Sequence, residues 1–246
     1  MITGIVVALP QEISTLTARK VVKGQCVFLT DSLALAYSGA GASNAEAAAK
    51  LLIEQGATRL ISWGCAGALS ANLTSGDLVL ADELIDADGA MITIDHEWHR
   101  RVRTVLEKAA CQSSGFALRC GSLLESKTLV ATSHDKQQLH RQSNAIALDM
   151  ESVAVAKVAH AHALPFLVIR AIADPVTMDL PQAVSYALNE QGDVQLGKLL
   201  SFLLTHPSEL KGLITLGQHF NAAKHTLKAV AQQLEKIIDT HSTIAH

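Results

Sequence analysis

Four continuous apolar runs of strand length constrain this chain most: "GIVVAL" at 4–9, "SLALAYSGAG" at 32–41, "RLISWGCAGAL" at 59–69 and "FLVIRAIAD" at 166–174. They do not alternate apolar with polar, which is the pattern of strands covered on both faces. Helical stretches lie between them. "SNAEAAAKLLIEQG" at 43–56 can be capped by Ser43 or Asn44 and ended by Gly56. Further helices are expected over about 95–113 and from about Glu151 to His162, with strand character over 76–89 and in "ALRCGSLLES" at 117–126. Strands that alternate with helices predict an α/β fold: a central, mixed and mostly parallel sheet flanked by helices. From Gly192 the helical period dominates, with breaks expected at His206-Pro207 and around Gly212 and Gly217. Residues 1–246 therefore read as a single domain, with about 192–246 as its helical C-terminal part.

Composition narrows the function classes. Charged residues are 17% and aromatics 4% of a chain that is 49% hydrophobic, so the core is aliphatic. A net charge of −3 without a basic face argues against nucleic acid. The four cysteines, Cys26, Cys65, Cys111 and Cys120, stand singly, with no CxxC and no Cys/His cluster; they read as thiols in a reducing compartment, and no metal is expected. The N-terminus lacks the basic region of a signal peptide, and no apolar run reaches the roughly 20 residues of a membrane span. The expected location is cytoplasmic, which leaves peripheral membrane contact open.

In parallel sheets, ligands sit beyond the C-terminal ends of strands. Those ends here are Leu9 to Glu12, Ser38 to Ser43, Gly64 to Leu69, Asp149 to Glu151, and Asp174. "SGAGASNA" has the look of a dinucleotide fingerprint, but Asn44 stands in place of the third glycine and no acid follows at the ribose distance. What survives is a tight turn at Gly41 that can approach a ligand closely. Cys65, Ala66 and Gly67 end a strand in small residues, against which a flat ligand can lie, or a helix can pack. Asp149 and Glu151 flank Met150 at a strand-to-helix junction, where one acid can cap the helix. Asp174 ends an apolar run interrupted only by Arg170; a buried carboxylate needs a partner or stays protonated, and Arg170 is the structural candidate.

Together, the N-terminal strand with Glu12, "SGAGASNAEAAAKLL", "GCAGALSANLTSGDLVLADE", "ALDMESVAVAKVA" and "PFLVIRAIAD" resemble the purine nucleoside phosphorylase/5′-methylthioadenosine (S-adenosylhomocysteine) nucleosidase superfamily over most of residues 1–180. The C-terminal part and the "DMES" and "ADP" stretches resemble its hopanoid-associated phosphorylase branch. That resemblance implies release of adenine from a 5′-substituted adenosine, adenosylhopane being converted to ribosylhopane. It implies Asp174 as the general acid at the base, Glu151 on the ribose hydroxyls with Met150 against the ribose face, and Glu12 orienting water with Arg170 nearby. Leu9, Gly41, Cys65, Ala66, Gly67 and Leu129 are implied substrate contacts, and the region matching the adenine loop, around Thr128 and Leu129, carries no aromatic. Asp149 is assigned a structural role. Two positions depart from the nucleosidases: Ala173 and Cys65 stand where serine is usual or frequent. A cofactor is not implied, apart from phosphate as a co-substrate. The segments where the phosphorylases place arginines, "VVALPQE" and "LISWGCAGA", contain none, which favours water over phosphate. A small 5′-methylthioadenosine-type substrate is the alternative to a hopanoid, and a non-catalytic nucleoside- or lipid-binding protein the third reading. A homodimer is implied, and "LLSFLL" and "LITLGQHF" can form a wall for an apolar tail.

Overall fold

The computed structural model describes residues 1–112, 115–187 and 195–239. Five strands close on themselves. β4 (Ala57–Ala68) pairs in parallel with β9 (Phe166–Asp174), and β9 pairs antiparallel with β5 (Leu78–Ile85). β5 runs parallel to β7 (Leu118–Glu125), which runs parallel to β8 (Ala147–Asp149); β8 returns antiparallel to β4. The sheet extends from β4 through β1 (Ile2–Val7) and β3 (Leu33–Tyr37), both parallel, to the antiparallel β2 (Cys26–Thr30). β6 (Met91–Thr93) pairs antiparallel with β5.

The four apolar runs become β1, β3, β4 and β9, and Ile5, Leu35, Ile61, Trp63, Leu167 and Ile169 are fully buried. Each such aliphatic side chain contributes roughly 1.5–3 kcal/mol by leaving water. Helices cover the outside. α2 (Ala42–Glu54) turns Ala45, Ala48, Ala49 and Leu52 inward and packs on α5 (Ser152–Ala161), where small residues permit close approach. α8 (Glu209–Ala231) lies along β9 and against α1 (Pro10–Leu16), while α3 (His96–Gln112) packs on β5, β7 and α9 (Leu234–Ile238). α6 (Gln182–Ala187) and α7 (Leu196–Thr205) precede α8, and α7 ends at the expected His206-Pro207.

Some expectations are corrected. α8 runs unbroken through Gly212 and Gly217. A Cβ at Gly212 would come within 3.0 Å of the Pro181 ring, so a close contact favours glycine there, and tertiary packing outweighs its helix cost of about 1 kcal/mol. β2, β6 as a separate strand and α4 (Ser133–Ser143) were not legible as elements. The expected start of the helical part at Gly192, the end of the expected helix at Ser113 and residues 240–246 lie outside the described residues. No described helix is long and apolar enough to cross a membrane.

Candidate active site

A cleft of about 640 Å³ opens at the C-terminal ends of β1, β4, β8 and β9. Leu9, Glu12, Cys65, Ala66 and Gly67 line one part of it; Thr128, Leu129, Met150, Glu151 and Asp174 line the rest. Leu180, Val184, Leu216 and Phe220 add an apolar wall from α6, the segment before it and α8. Gly41 and Arg170 do not line this cleft; each supports a residue that does.

Glu12 is 2% exposed. Its carboxylate accepts from the backbone N–H of Leu9 (3.0 Å) and of Cys65 (2.8 Å), so it bridges the start of α1 to the end of β4. Burial pushes its pKa up, against the Arg170 charge and the backbone donors that pull it down. Glu151 accepts from the N–H of Gly41 (2.8 Å), in a turn where φ is 95°, a conformation that favours glycine. Burial first and the Asp149 charge second raise the Glu151 pKa to about 7. Gly41 itself lines an adjoining cleft of about 290 Å³ together with Met150 and Lys127.

Arg170, 1% exposed, contacts Asp149 Oδ2 at 2.6 Å and donates to Ser62 Oγ (2.7 Å) and Ser152 Oγ (3.1 Å). Asp149 also accepts from the Ser152 N–H (3.1 Å) and hydroxyl, and it is therefore the acid that holds the start of α5. The structural pairing of Arg170 with Asp174 is corrected. Arg170 is turned onto Asp149, while β9 carries Asp174 roughly 13 Å further along the strand. Lys136 takes that place: its fully buried ammonium donates to Asp174 Oδ1 at 2.7 Å, and to the carbonyls of Met178 (2.8 Å) and Pro175 (3.3 Å). Burial raises the Asp174 pKa, and the Lys136 hydrogen bond and charge pull it down.

Sequence reasoning missed Lys136, and the signal available for its helix was local. Thr132 accepts from the Asp135 N–H as a cap, and Asn144 closes the helix in a left-handed conformation (φ 56°). Nothing in the polar run "SHDKQQLHRQS" marks Lys136 as buried. The role of Gly64, which the sequence places at a strand end, was also missed. A Cβ there would collide with the Arg170 guanidinium and lie 2.6 Å from Glu12 Oε1, so this small residue makes room for Arg170 and for the cleft-lining Glu12.

The arrangement offers a protonatable acid, Asp174, two further buried carboxylates with backbone donors, and an apolar enclosure that strengthens charge interactions. Of the basic groups near these carboxylates, Arg170 and Lys136 are already committed to acids, and His219 also pulls on Asp174.

Residues 3–201 match the model of the Phosphorylase superfamily. The chain is 27% identical to a 5′-methylthioadenosine/S-adenosylhomocysteine nucleosidase of Staphylococcus haemolyticus over 158 residues, covering 57% of this chain and 67% of that protein. It is 25% identical to a protein of the same name from Mycobacterium bovis over 215 residues, covering 70% and 84%. A Helicobacter pylori nucleosidase mutant with 5′-methylthioadenosine in its active site superimposes with a TM-score of 0.70 at 17% identity, over 97% of this chain and 98% of that one. The futalosine hydrolase of the same organism gives 0.65 at 18% identity, over 96% and 97%. The structural likenesses show the fold, and the match over residues 3–201 shows the family: this chain belongs to the phosphorylase superfamily.

Proposed function

We propose that this protein is a nucleosidase that hydrolyses the N-glycosidic bond of a 5′-substituted adenosine and releases adenine. The observation that carries the reading is one cleft holding Glu12, Glu151 and Asp174 together at the strand ends. Asp174 donates its proton to N7 as the C1′–N9 bond breaks, so that adenine leaves neutral. Glu151 accepts from the ribose 2′- and 3′-hydroxyls, and its charge favours the oxocarbenium-like sugar. Glu12 accepts a proton from water that attacks C1′, and Arg170 acts from below by holding Asp149, next to Met150 and Glu151.

Water is favoured over phosphate because Arg170 and Lys136 are bound to acids and Glu12 would repel an anion. No cofactor has a role in this chemistry. The substrate we favour is adenosylhopane, yielding ribosylhopane, because Leu180, Val184, Leu216 and Phe220 give the cleft an apolar wall suited to a large 5′ tail. A small 5′-methylthioadenosine-type substrate is the second reading, supported by the names of the relatives. In this proposal the enzyme is a cytoplasmic homodimer, and Leu129 (40% exposed), which lines the cleft, is open to a partner copy or a membrane surface.

The test is adenine release from adenosylhopane and from 5′-methylthioadenosine, each with and without phosphate, with the sugar product identified by mass. Phosphate-independent release of free ribosylhopane is the expected result. A phosphate-dependent sugar phosphate would overturn the choice of water, and turnover of the small substrate alone would overturn the hopanoid. With both substrates, L216A/F220A is expected to raise KM for the long-tailed one more than for the small one.

A further inference from the structure

Outside the cleft, the fold brings together three residues that lie far apart in the sequence. Asp82 sits at an irregularity of β5, where the register against β7 shifts between Ala81 and Glu83. Such a bulge re-aims a side chain. Cys120 lies on the neighbouring β7, and His99 lies in the first turns of α3, which covers both strands. The Asp82 carboxylate oxygen, a His99 ring nitrogen and Cys120 Sγ are all within 4.8 Å of one another.

His99 is 8% exposed, and its ring lies against the Leu80 backbone. Its Nε2 makes no hydrogen bond, although Asp82 Oδ1 is 3.2 Å away. A ring that donates Nδ1–H to a carbonyl turns its Nε2 lone pair outward, the orientation in which histidines bind metals. Here that nitrogen meets a carboxylate oxygen and a thiol sulfur, three atoms of metal-ligating type. Arg103, one turn further along α3, is engaged by Glu107 at 2.8 Å, which offsets its charge.

We propose that Asp82, His99 and Cys120 bind one divalent cation of the zinc class. Sulfur, imidazole and carboxylate are zinc's ligand types, whereas magnesium and calcium take oxygen. Metal–ligand bonds of about 2.0–2.3 Å require the three atoms to close in slightly, which the half-exposed Asp82 allows, and solvent supplies the fourth position. Cys120 gives up its thiol proton to solvent on binding, so the site carries Asp82 and the thiolate as its two negative charges against the metal's two positive ones. The cation ties α3 to β5 and β7. Its role is structural, since none of the three residues lines the nucleoside cleft.

The test uses the full chain, stripped with EDTA and titrated with zinc chloride alone by calorimetry, with cobalt(II) as an optical probe. One equivalent of zinc is expected to bind and raise the Tm, and cobalt is expected to give a thiolate charge-transfer band. C120S and H99N are each expected to weaken zinc binding by about 100-fold or more, the upper end for outer-shell partners. C111S, which removes an exposed cysteine elsewhere on α3, is expected to leave it unchanged. If H99N does not fold, C120S and the cobalt band decide. Absence of zinc binding, or binding that survives C120S, overturns the proposal.

Discussion

Lys136 and Asp174, 38 residues apart, share a 2.7 Å ion pair at the base of the cleft. If protonated Asp174 is the acid, activity falls as pH rises through its pKa. Lys136 pulls that pKa down, so in K136M the alkaline limb of the kcat/KM profile is expected at higher pH than in the wild type. An unmoved limb would mean that Lys136 only braces the chain after β9. D174N, which cannot donate, is expected to lose about 10²- to 10⁴-fold in kcat while still binding a substrate analogue. Glu151 makes a different prediction. Its folded-state pKa of about 7 lies above the ordinary 4.5, so the folded chain holds this proton more tightly than the unfolded one. The resulting stabilisation is fully present below the ordinary value and is lost as pH rises through 7. Urea unfolding at about pH 5 and pH 8 should therefore show E151Q gaining on the wild type with rising pH, by up to about 3 kcal/mol.

At the scale of elements, β4 shows how local pattern and function separate. Its apolar run made the strand legible, and its small residues were read as a surface for a flat ligand. Gly67 does line the cleft, but Gly64 instead leaves space for Arg170 and for the cleft-lining Glu12. G64A is expected to cost about 1–3 kcal/mol through overpacking and to reduce turnover by displacing Glu12 from the Cys65 N–H, measured by thermal unfolding and adenine release. α4 illustrates the converse. Its cap and its left-handed end were present in the sequence, but a polar helix carries little apolar period, so Lys136 passed unnoticed. α8 combines both roles: Ala223, Leu227 and Val230 are fully buried in the core, while Leu216 and Phe220 face the cleft.

At the scale of the whole molecule, one set of buried charges centres on Arg170, among Asp149, Glu151 and Glu12, and is separate from the Lys136–Asp174 pair. R170M would leave Asp149 buried without its counter-charge. A loss of about 3–5 kcal/mol in denaturant unfolding is expected, and R170M/D149N should recover part of it. The sequence by itself determined the α/β class, the principal strands and helices, and most of the cleft, because apolar periodicity is local and parallel strands deliver their C-terminal residues to one side. Only the tertiary structure decided which charge meets which. The closure of β4, β8, β7, β5 and β9 sets those distances, and an ion pair depends on distance in space, which spacing along the chain does not encode. The same closure set Arg170 on Asp149, Lys136 on Asp174, and His99 beside Asp82 and Cys120.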